Sequence, residues 1–137
     1  MESRILHVED NPDDVVLIDV ACRRAGIRTR LEVAADGDQA IAALQNGSGN
    51  NPPDCVLLDF KLHGKSGLEV LAWIRSQPRL KRLPVIFLTS SCQPADVNRA
   101  YDLGANSFLV KPSDLPALVE LVKTIDHYWV QSNVHPT

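Results

Sequence analysis

The 137-residue chain has few of the features that mark secreted, membrane-spanning or nucleic-acid-binding proteins. Its cysteines are sparse and widely spaced, as Cys22, Cys55 and Cys92, which fits neither a disulfide framework nor a paired metal-ligand motif. No apolar run is long enough to span a bilayer, and the first residues lack a signal-peptide pattern. The net charge is −3, and the sequence contains no long run of residues with the same charge. These absences predict a cytoplasmic protein with reduced thiols that binds neither nucleic acid nor membranes.

The apolar residues that are present alternate between strand-like runs and helical stretches about five times along the chain. The length suits a single domain, which we expect to span residues 1–137, with a core at about 4–127 and a short C-terminal extension. Residues 47–53, rich in Gly, Ser, Asn and Pro, are interpreted as a surface loop. The alternation predicts an α/β fold whose doubly wound parallel sheet is covered by helices on both faces.

Capping residues mark several of the expected helix starts. Asn11 followed by a proline has the pattern of an N-cap with proline at the first helical position. Ser66 and Glu69 have the spacing of a capping box. We expect Ser113 to cap the last helix, with Pro116 tolerated in its first turn because N–H groups there have no partner within the helix.

Four of the apolar runs end abruptly on reactive or charged side chains. In order along the chain, the endings are Glu9 with Asp10, then Asp59, then Thr89 with Ser90, and finally Lys111 with Pro112. In a parallel sheet these endings share one edge, where ligands bind at the point at which the winding direction reverses. We therefore expect the four endings to form one site.

The chemistry of this set points to phosphoryl transfer. Glu9, Asp10 and Asp59 would bring about three negative charges together, and such charges raise each other's pKa unless a cation compensates. Carboxylate oxygens suit a hard divalent ion such as Mg²⁺, while Lys111 and the Thr89 hydroxyl could contact phosphate oxygens. Phosphoryl transfer depends on positioning and charge neutralisation, and a carboxylate can be the covalent acceptor. Asp59, at the end of the central run, is the candidate nucleophile.

Together these residues resemble the receiver domain of two-component response regulators, the family of the bacterial chemotaxis regulator. The resemblance extends from Ile5 to about Ile125. It implies a flavodoxin-like, five-stranded sheet of order 2-1-3-4-5 and a switch that accepts a phosphoryl group from a sensor histidine kinase. Output would pass through a protein partner, a homodimer or onward relay of the phosphate, since no residues remain for a DNA-binding or enzymatic output domain. The only expected chemistry is Mg²⁺-dependent phosphorylation and dephosphorylation at Asp59.

The resemblance also implies a metal-ligand set. Asp10 and Asp59 would bind Mg²⁺ (or Mn²⁺) directly, with the backbone carbonyl of Lys61 as a third ligand and Glu9 acting through a metal-bound water.

Four further residues match the family's phosphate-sensing positions. Lys111 would pair with the phosphate on Asp59, and Pro112 resembles the family's cis proline. Thr89 would move toward the phosphate, and Phe108 matches an aromatic residue that turns inward on activation. Ser90 stays open as an alternative hydroxyl, and Phe108 could equally be an ordinary core residue.

Some positions depart from the family pattern or are less specific. His63 stands where the family often has proline, four residues after the acceptor, so we expect a looser loop there. Lys61 and Ser91 occupy positions at which the family tunes the lifetime of the phosphate. His7 is expected to be a partly buried, hydrogen-bonded histidine.

The chain's two ends resemble small stand-alone regulators that are paired with phytochrome-type kinases. This likeness rests on residues 5–14 and on Tyr128–Trp129. The two aromatic residues could either cover the core or form the interface of a homodimer through the last strand and its flanking helices.

Three other functions are weaker interpretations. An aspartate-based phosphohydrolase needs a second acid where this chain has Lys61, and a flavin carrier is disfavoured by the acidic residues 9–14. A docking module that is never phosphorylated is disfavoured by the complete set of receiver residues.

Overall fold

A computed structural model describes residues 2–45, 51–90 and 92–136 of the chain. The strands are β1 Arg4–Val8, β2 Arg30–Ala34, β3 Cys55–Leu58, β4 Val85–Thr89 and β5 Ser107–Val110. The helices are α1 Pro12–Arg24, α2 Gly37–Gln45, α3 Gly67–Ser76, α4 Pro94–Asp102 and α5 Leu115–Ile125, followed by π-helical turns at Asp126–Ser132. Most of the expected surface loop at 47–53, and also Ser91, lie outside the described residues.

All neighbouring strands pair in parallel, in the order β2-β1-β3-β4-β5, which confirms the predicted fold class. Strands β3 and β4 are buried along their whole length, as expected of the centre of a sheet covered on both faces. One core contains residues of α2, α3 and α4, and the opposite core contains residues of α1 and α5. The carboxyl ends of β1, β3, β4 and β5 therefore meet at one edge of the molecule. No described helix is both long and apolar enough to cross a membrane.

The helix starts confirm two predicted caps and correct a third. The Asn11 side chain accepts a hydrogen bond from Asp13 N at 2.9 Å, and Ser66 forms the reciprocal capping box with Glu69. The last helix, however, is capped by Asp114, whose carboxylate accepts from a backbone N–H at 2.8 Å, so the prediction of Ser113 is wrong. Aspartate and serine are equally good N-caps, and neighbouring candidates are distinguished only by where the loop from β5 turns into the helix.

The residues after α5 turn back onto the sheet. Trp129 packs against the core that contains Ile5 and Leu57, whereas Tyr128 is 56% exposed and meets Trp129 edge to face. Buried Asp126 fixes this segment by accepting a hydrogen bond from Thr29 Oγ1 at 2.5 Å. The sequence left open whether these two residues cover the core or form an interface. In the structure Trp129 covers the core, whereas Tyr128 is exposed at the surface.

Candidate metal and phosphoacceptor site

Three carboxylates meet at the carboxyl ends of β1 and β3. Glu9, Asp10 and Asp59 each offer an oxygen, and these oxygens all lie within 4.8 Å of one another. The strands bring them together because Val8 is aligned with Leu58 in the sheet. The Asp59 N–H also donates to the Val8 carbonyl at 3.1 Å, which continues the pairing to the acid itself. The structure thus places the predicted acids in one cluster.

The electrostatics of the cluster favour a cation. Glu9 is buried, and this burial raises its pKa. A hydrogen bond from Lys111 opposes the rise, but the nearby Asp59 carboxylate adds to it, and the pKa of Glu9 stays above its usual value. A set of oxygen donors with uncompensated negative charge suits a hard divalent ion such as Mg²⁺ or Mn²⁺.

The loop after β3 is anchored to the acidic cluster by His63. Both the His63 backbone N–H, at 2.9 Å, and its ring Nδ1, at 2.5 Å, contact Asp10 Oδ2. Burial raises the pKa of Asp10, but these hydrogen bonds and the charge of His63 outweigh it and lower the pKa. Proline has no N–H to donate, whereas histidine supplies a backbone donor and a ring nitrogen to Asp10. The expectation of a looser loop stays a prediction.

Lys111, the last residue along the chain to join the site, lies between two acids. Its ammonium nitrogen is 2.5 Å from Glu9 Oε1 and 3.0 Å from Asp14 Oδ2. Burial lowers the pKa of Lys111, but the hydrogen bonds to Glu9 and Asp14 outweigh this effect and raise it. The lysine is therefore a fixed positive charge inside the cluster. The sequence interpretation missed Asp14, although the Asn11 cap places that acid in the first turn of α1, beside the strand ends.

Thr89 and Phe108 lie on the other face of the sheet from Lys111. Leu88 packs beneath α1 and α5, so Thr89, the next residue along β4, faces the opposite core. Thr89 is buried and Ser90 is exposed. Phe108 is half-buried, and its ring centroid lies 5.8 Å from that of Phe60, the residue after the candidate acceptor. The movements of Thr89 and Phe108 on activation stay predictions.

Comparison with known proteins identifies the family. The model of the response regulator receiver domain matches residues 5–123. The chain belongs to this family. Receiver domains are phosphorylation-dependent switches in two-component signalling, and the receiver described here has that function.

Several relatives of this receiver match nearly its whole length. The probable methanogenesis regulatory protein FilR2 of Methanothrix harundinacea is 40% identical over 96% of the chain and 86% of its own length. Response regulator Rcp1 of Synechocystis sp. is 38% identical over 96% of the chain and 92% of its own length. The phosphorylated cyanobacterial phytochrome response regulator RcpA superposes with a TM-score of 0.89 at 36% identity, with both chains fully covered. A structure of Rcp1 in its Mn²⁺-bound form superposes with a TM-score of 0.84 at 37% identity, covering 98% of this chain and 99% of the other.

Two further predictions concern the backbone carbonyl of Lys61 as a metal ligand and the peptide bond before Pro112. The Lys61 N–H points toward Asp59, with a distance of 3.4 Å to Oδ1, and the role of the Lys61 carbonyl as a metal ligand stays a prediction. The described residues contain no cis peptide bond, so the prediction that Pro112 is a cis proline is wrong for this structure. The bond before a proline intrinsically favours trans by about 0.5–1 kcal/mol. The trans chain still allows Lys111 N–H to donate to the Thr89 carbonyl at 2.7 Å.

Gly67 lets the start of α3 approach the backbone of the candidate acceptor. A Cβ at this position would lie 2.5 Å from the Asp59 carbonyl oxygen and 2.8 Å from Phe87 Cε1. The Gly67 N–H donates to the Phe60 carbonyl at 3.1 Å. The N-terminus of α3 therefore packs directly against the backbone of the candidate acceptor, and only glycine fits at position 67.

His7 adds no charge to the receiver site. It is buried, and this burial lowers its pKa to about 4, which keeps the ring neutral near pH 7. Its Nδ1 has no hydrogen-bond partner among the described residues, so the expectation of a partly buried, hydrogen-bonded histidine is wrong. The sequence could not reveal this, because the packing of α1 and α5 over β1 decides which groups reach the ring.

We predict that Asp10→Asn removes stabilisation by divalent ions. At a Mg²⁺ concentration one hundred times its Kd, binding to the folded state alone adds about 2.7 kcal/mol to the free energy of unfolding. The asparagine keeps an oxygen that can accept from His63 but loses the charge that attracts the ion. Thermal unfolding with and without Mg²⁺ measures the difference. Asp102→Asn, an exposed acid at the end of α4, is the control and should keep the full Mg²⁺ effect. An equal rise in Tm for Asp10→Asn would contradict a metal site at this cluster.

Proposed function

We propose that Asp59 accepts a phosphoryl group from the phosphohistidine of a sensor histidine kinase. One observation carries this proposal: Asp59 shares a cluster of carboxylate oxygens within 4.8 Å with Glu9 and Asp10, and the partly buried ammonium of Lys111 is paired with Glu9. An Asp59 oxygen forms a P–O bond as the P–N bond of the phosphohistidine breaks. The leaving imidazole keeps the electron pair and takes a proton from solvent.

In this proposal the acids hold Mg²⁺, or Mn²⁺ in its place. Asp10 and Asp59 would bind the ion directly, the Lys61 carbonyl would be a third ligand, and Glu9 would act through a metal-bound water. When bound, the ion neutralises negative charge on the phosphoryl oxygens. The Mn²⁺-bound form of the similar protein Rcp1 supports an ion of this kind. His63 orients Asp10, and Gly67 keeps the Asp59 backbone in place.

The phosphate is then sensed from both faces of the sheet. Lys111 pairs with it from the side of α1, and Thr89 donates its hydroxyl from the opposite side. Movement of Thr89 leaves space beside the Phe87 and Phe108 rings, whose centroids are 5.6 Å apart, so Phe108 can shift with it. The surface of α4, β5 and α5 changes as a result and binds a protein partner. Phosphorylation shifts an equilibrium between two conformations of the receiver, because the phosphoryl group adds charge that only one of them accommodates.

We predict that Asp59→Asn abolishes labelling by acetyl phosphate in the presence of Mg²⁺, because an amide cannot form the acyl phosphate. Phosphate-affinity electrophoresis or intact mass measures the added group. The control Asp102→Asn should be labelled like the unaltered chain. Undiminished labelling of Asp59→Asn would show that another residue is the acceptor.

We further propose a phytochrome-type histidine kinase as the phosphoryl donor and the cytoplasm as the location. The similarity to the cyanobacterial phytochrome response regulator RcpA supports the donor. The free thiols of Cys22, Cys55 and Cys92 support the compartment, since reduced cysteines persist there. The receiver domain is proposed to comprise residues 1–137, with its core at about 4–127.

Phosphotransfer profiling tests the donor. We expect phytochrome-type kinases to phosphorylate Asp59 at least about tenfold faster than other kinases of a panel, which corresponds to about 1.4 kcal/mol in the transition state. Transfer at the same rate from every kinase, or faster transfer from an unrelated one, would contradict the assignment.

We also propose a homodimer through β5 and its flanking helices. Edge strand β5 exposes Val110 (48%), and the end of α4 exposes Tyr101 (48%) and Leu103 (42%), which leaves an apolar surface beside the unpaired edge. Tyr128 is a further exposed aromatic residue beyond α5.

Light scattering measures the mass of the particle. We expect a dimer that Val110→Glu converts to a monomer, because dimerisation would bury the new charge. Val16→Glu is the matched control on α1, where Val16 is 60% exposed, and should leave the dimer intact. A strict monomer at high concentration, with and without phosphorylation, would contradict this proposal.

A further inference from the structure

Asp14 is an ion-pair partner of the lysine in the site without being part of the metal-ligand cluster. Its Oδ2 lies 3.0 Å from Lys111 Nζ, and Glu9 Oε1 lies 2.5 Å from the same nitrogen. Within residues 2–45, 51–90 and 92–136, the ion pairs of Lys111 go to these two acids and none goes to Asp59. The ammonium is therefore held on the α1 side of the site.

The approach of Lys111 to a phosphoryl group on Asp59 must weaken one of these two contacts. The Glu9 side chain is 1% exposed, so a separated Glu9 carboxylate would stay buried without its counterion. The Asp14 side chain is 30% exposed, so water can solvate its carboxylate when the lysine leaves. Burial therefore decides that Asp14, and not Glu9, is the partner that releases Lys111.

We propose that Asp14 is a positioning residue that competes with the phosphoryl group for Lys111 and thereby weakens the site's affinity for that group. This inference rests on the proposed function of Asp59 as the acceptor. Asp14 holds the lysine in the unphosphorylated receiver, and the phosphoryl oxygens must displace it. The strength of the Asp14–Lys111 ion pair then determines how readily Lys111 pairs with the phosphoryl group.

Asp13 provides a matched control on the same helix turn. Both acids lie in the first turn of α1, where a negative charge is favoured by the helix N-terminus. Asp13 is exposed, and no ion pair joins it to Lys111 among the described residues. Asp13→Asn and Asp14→Asn therefore remove the same charge from the chain, but only Asp14→Asn replaces an ion pair with the lysine by a contact to a neutral amide.

The test is the affinity of the receiver for beryllium fluoride, a phosphoryl analogue that adds to a carboxylate, measured by ¹⁹F NMR with saturating Mg²⁺. We expect Asp14→Asn to tighten binding by about two- to fivefold, the upper part of the range for a solvent-accessible ion pair. Asp13→Asn should change the affinity less than about twofold, and Asp14→Glu should bind like the unaltered chain because it restores the competing charge.

A second background separates competition from simple repulsion. If Asp14 acts through Lys111, Asp14→Asn has no effect on binding in a Lys111→Ala chain, whereas repulsion between Asp14 and the analogue would persist there. Equal tightening in both backgrounds, or none in either, would overturn the inference.

A measurement without the analogue covers the case in which Lys111→Ala binds too weakly to titrate. The Lys111 ammonium hydrogens, observed by ¹⁵N-edited NMR, should exchange with water faster in Asp14→Asn than in Asp13→Asn. Equal exchange in the two variants would overturn the inference. Failure of the unaltered chain to bind the analogue would instead count against Asp59 as the acceptor, so the two proposals fail separately.

Discussion

The charge balance around Lys111 is the interaction on which the site depends. Glu9 is almost fully buried, and a carboxylate in that position is tolerated only when a counterion lies beside it. Lys111 supplies the counterion at 2.5 Å and is itself kept charged by the acids around it. Lys111 contacts the carboxylates of Glu9 and Asp14, while Asp10 and Asp59 lie in one acidic cluster with Glu9. The excess of negative charge favours the binding of a divalent cation at this site.

The two faces of the sheet contribute to this site in different ways: charged side chains lie on one face, and packed aromatic side chains lie on the other. On the side of α1 and α5, the arrangement of Lys111 is decided by charge and by the exposure of its partners. On the opposite side, Thr89 lies at the edge of a core in which the Phe60, Phe87 and Phe108 rings touch one another. Asp59 ends the central strand between them. Under the proposed function, a charge added at Asp59 lies between these two faces of the sheet.

Local signals in the sequence were reliable where short-range chemistry decides the structure. The Asn11 cap and the Ser66–Glu69 capping box formed as expected, since each involves neighbours within one helix turn. The same reasoning failed between Ser113 and Asp114, where two good caps are adjacent and the path of the chain from β5 selects one. It also failed for Pro112, because family resemblance does not determine a peptide-bond isomer that the surrounding structure must select.

The sequence by itself determined the α/β architecture, the strand order through the family resemblance, and the acids, hydroxyl and lysine at the strand ends. The architecture and the grouping of the strand ends follow from periodicity and from the rule that parallel strands end at one edge, whereas the strand order came from the resemblance alone. Only the tertiary structure decided which side chains become partners. His63 contacts Asp10 across 53 residues of chain, and Asp14 contacts Lys111 across 97. Such contacts depend on how a loop and a helix pack over the sheet and on how much water reaches each carboxylate, and neither quantity is encoded in local spacing.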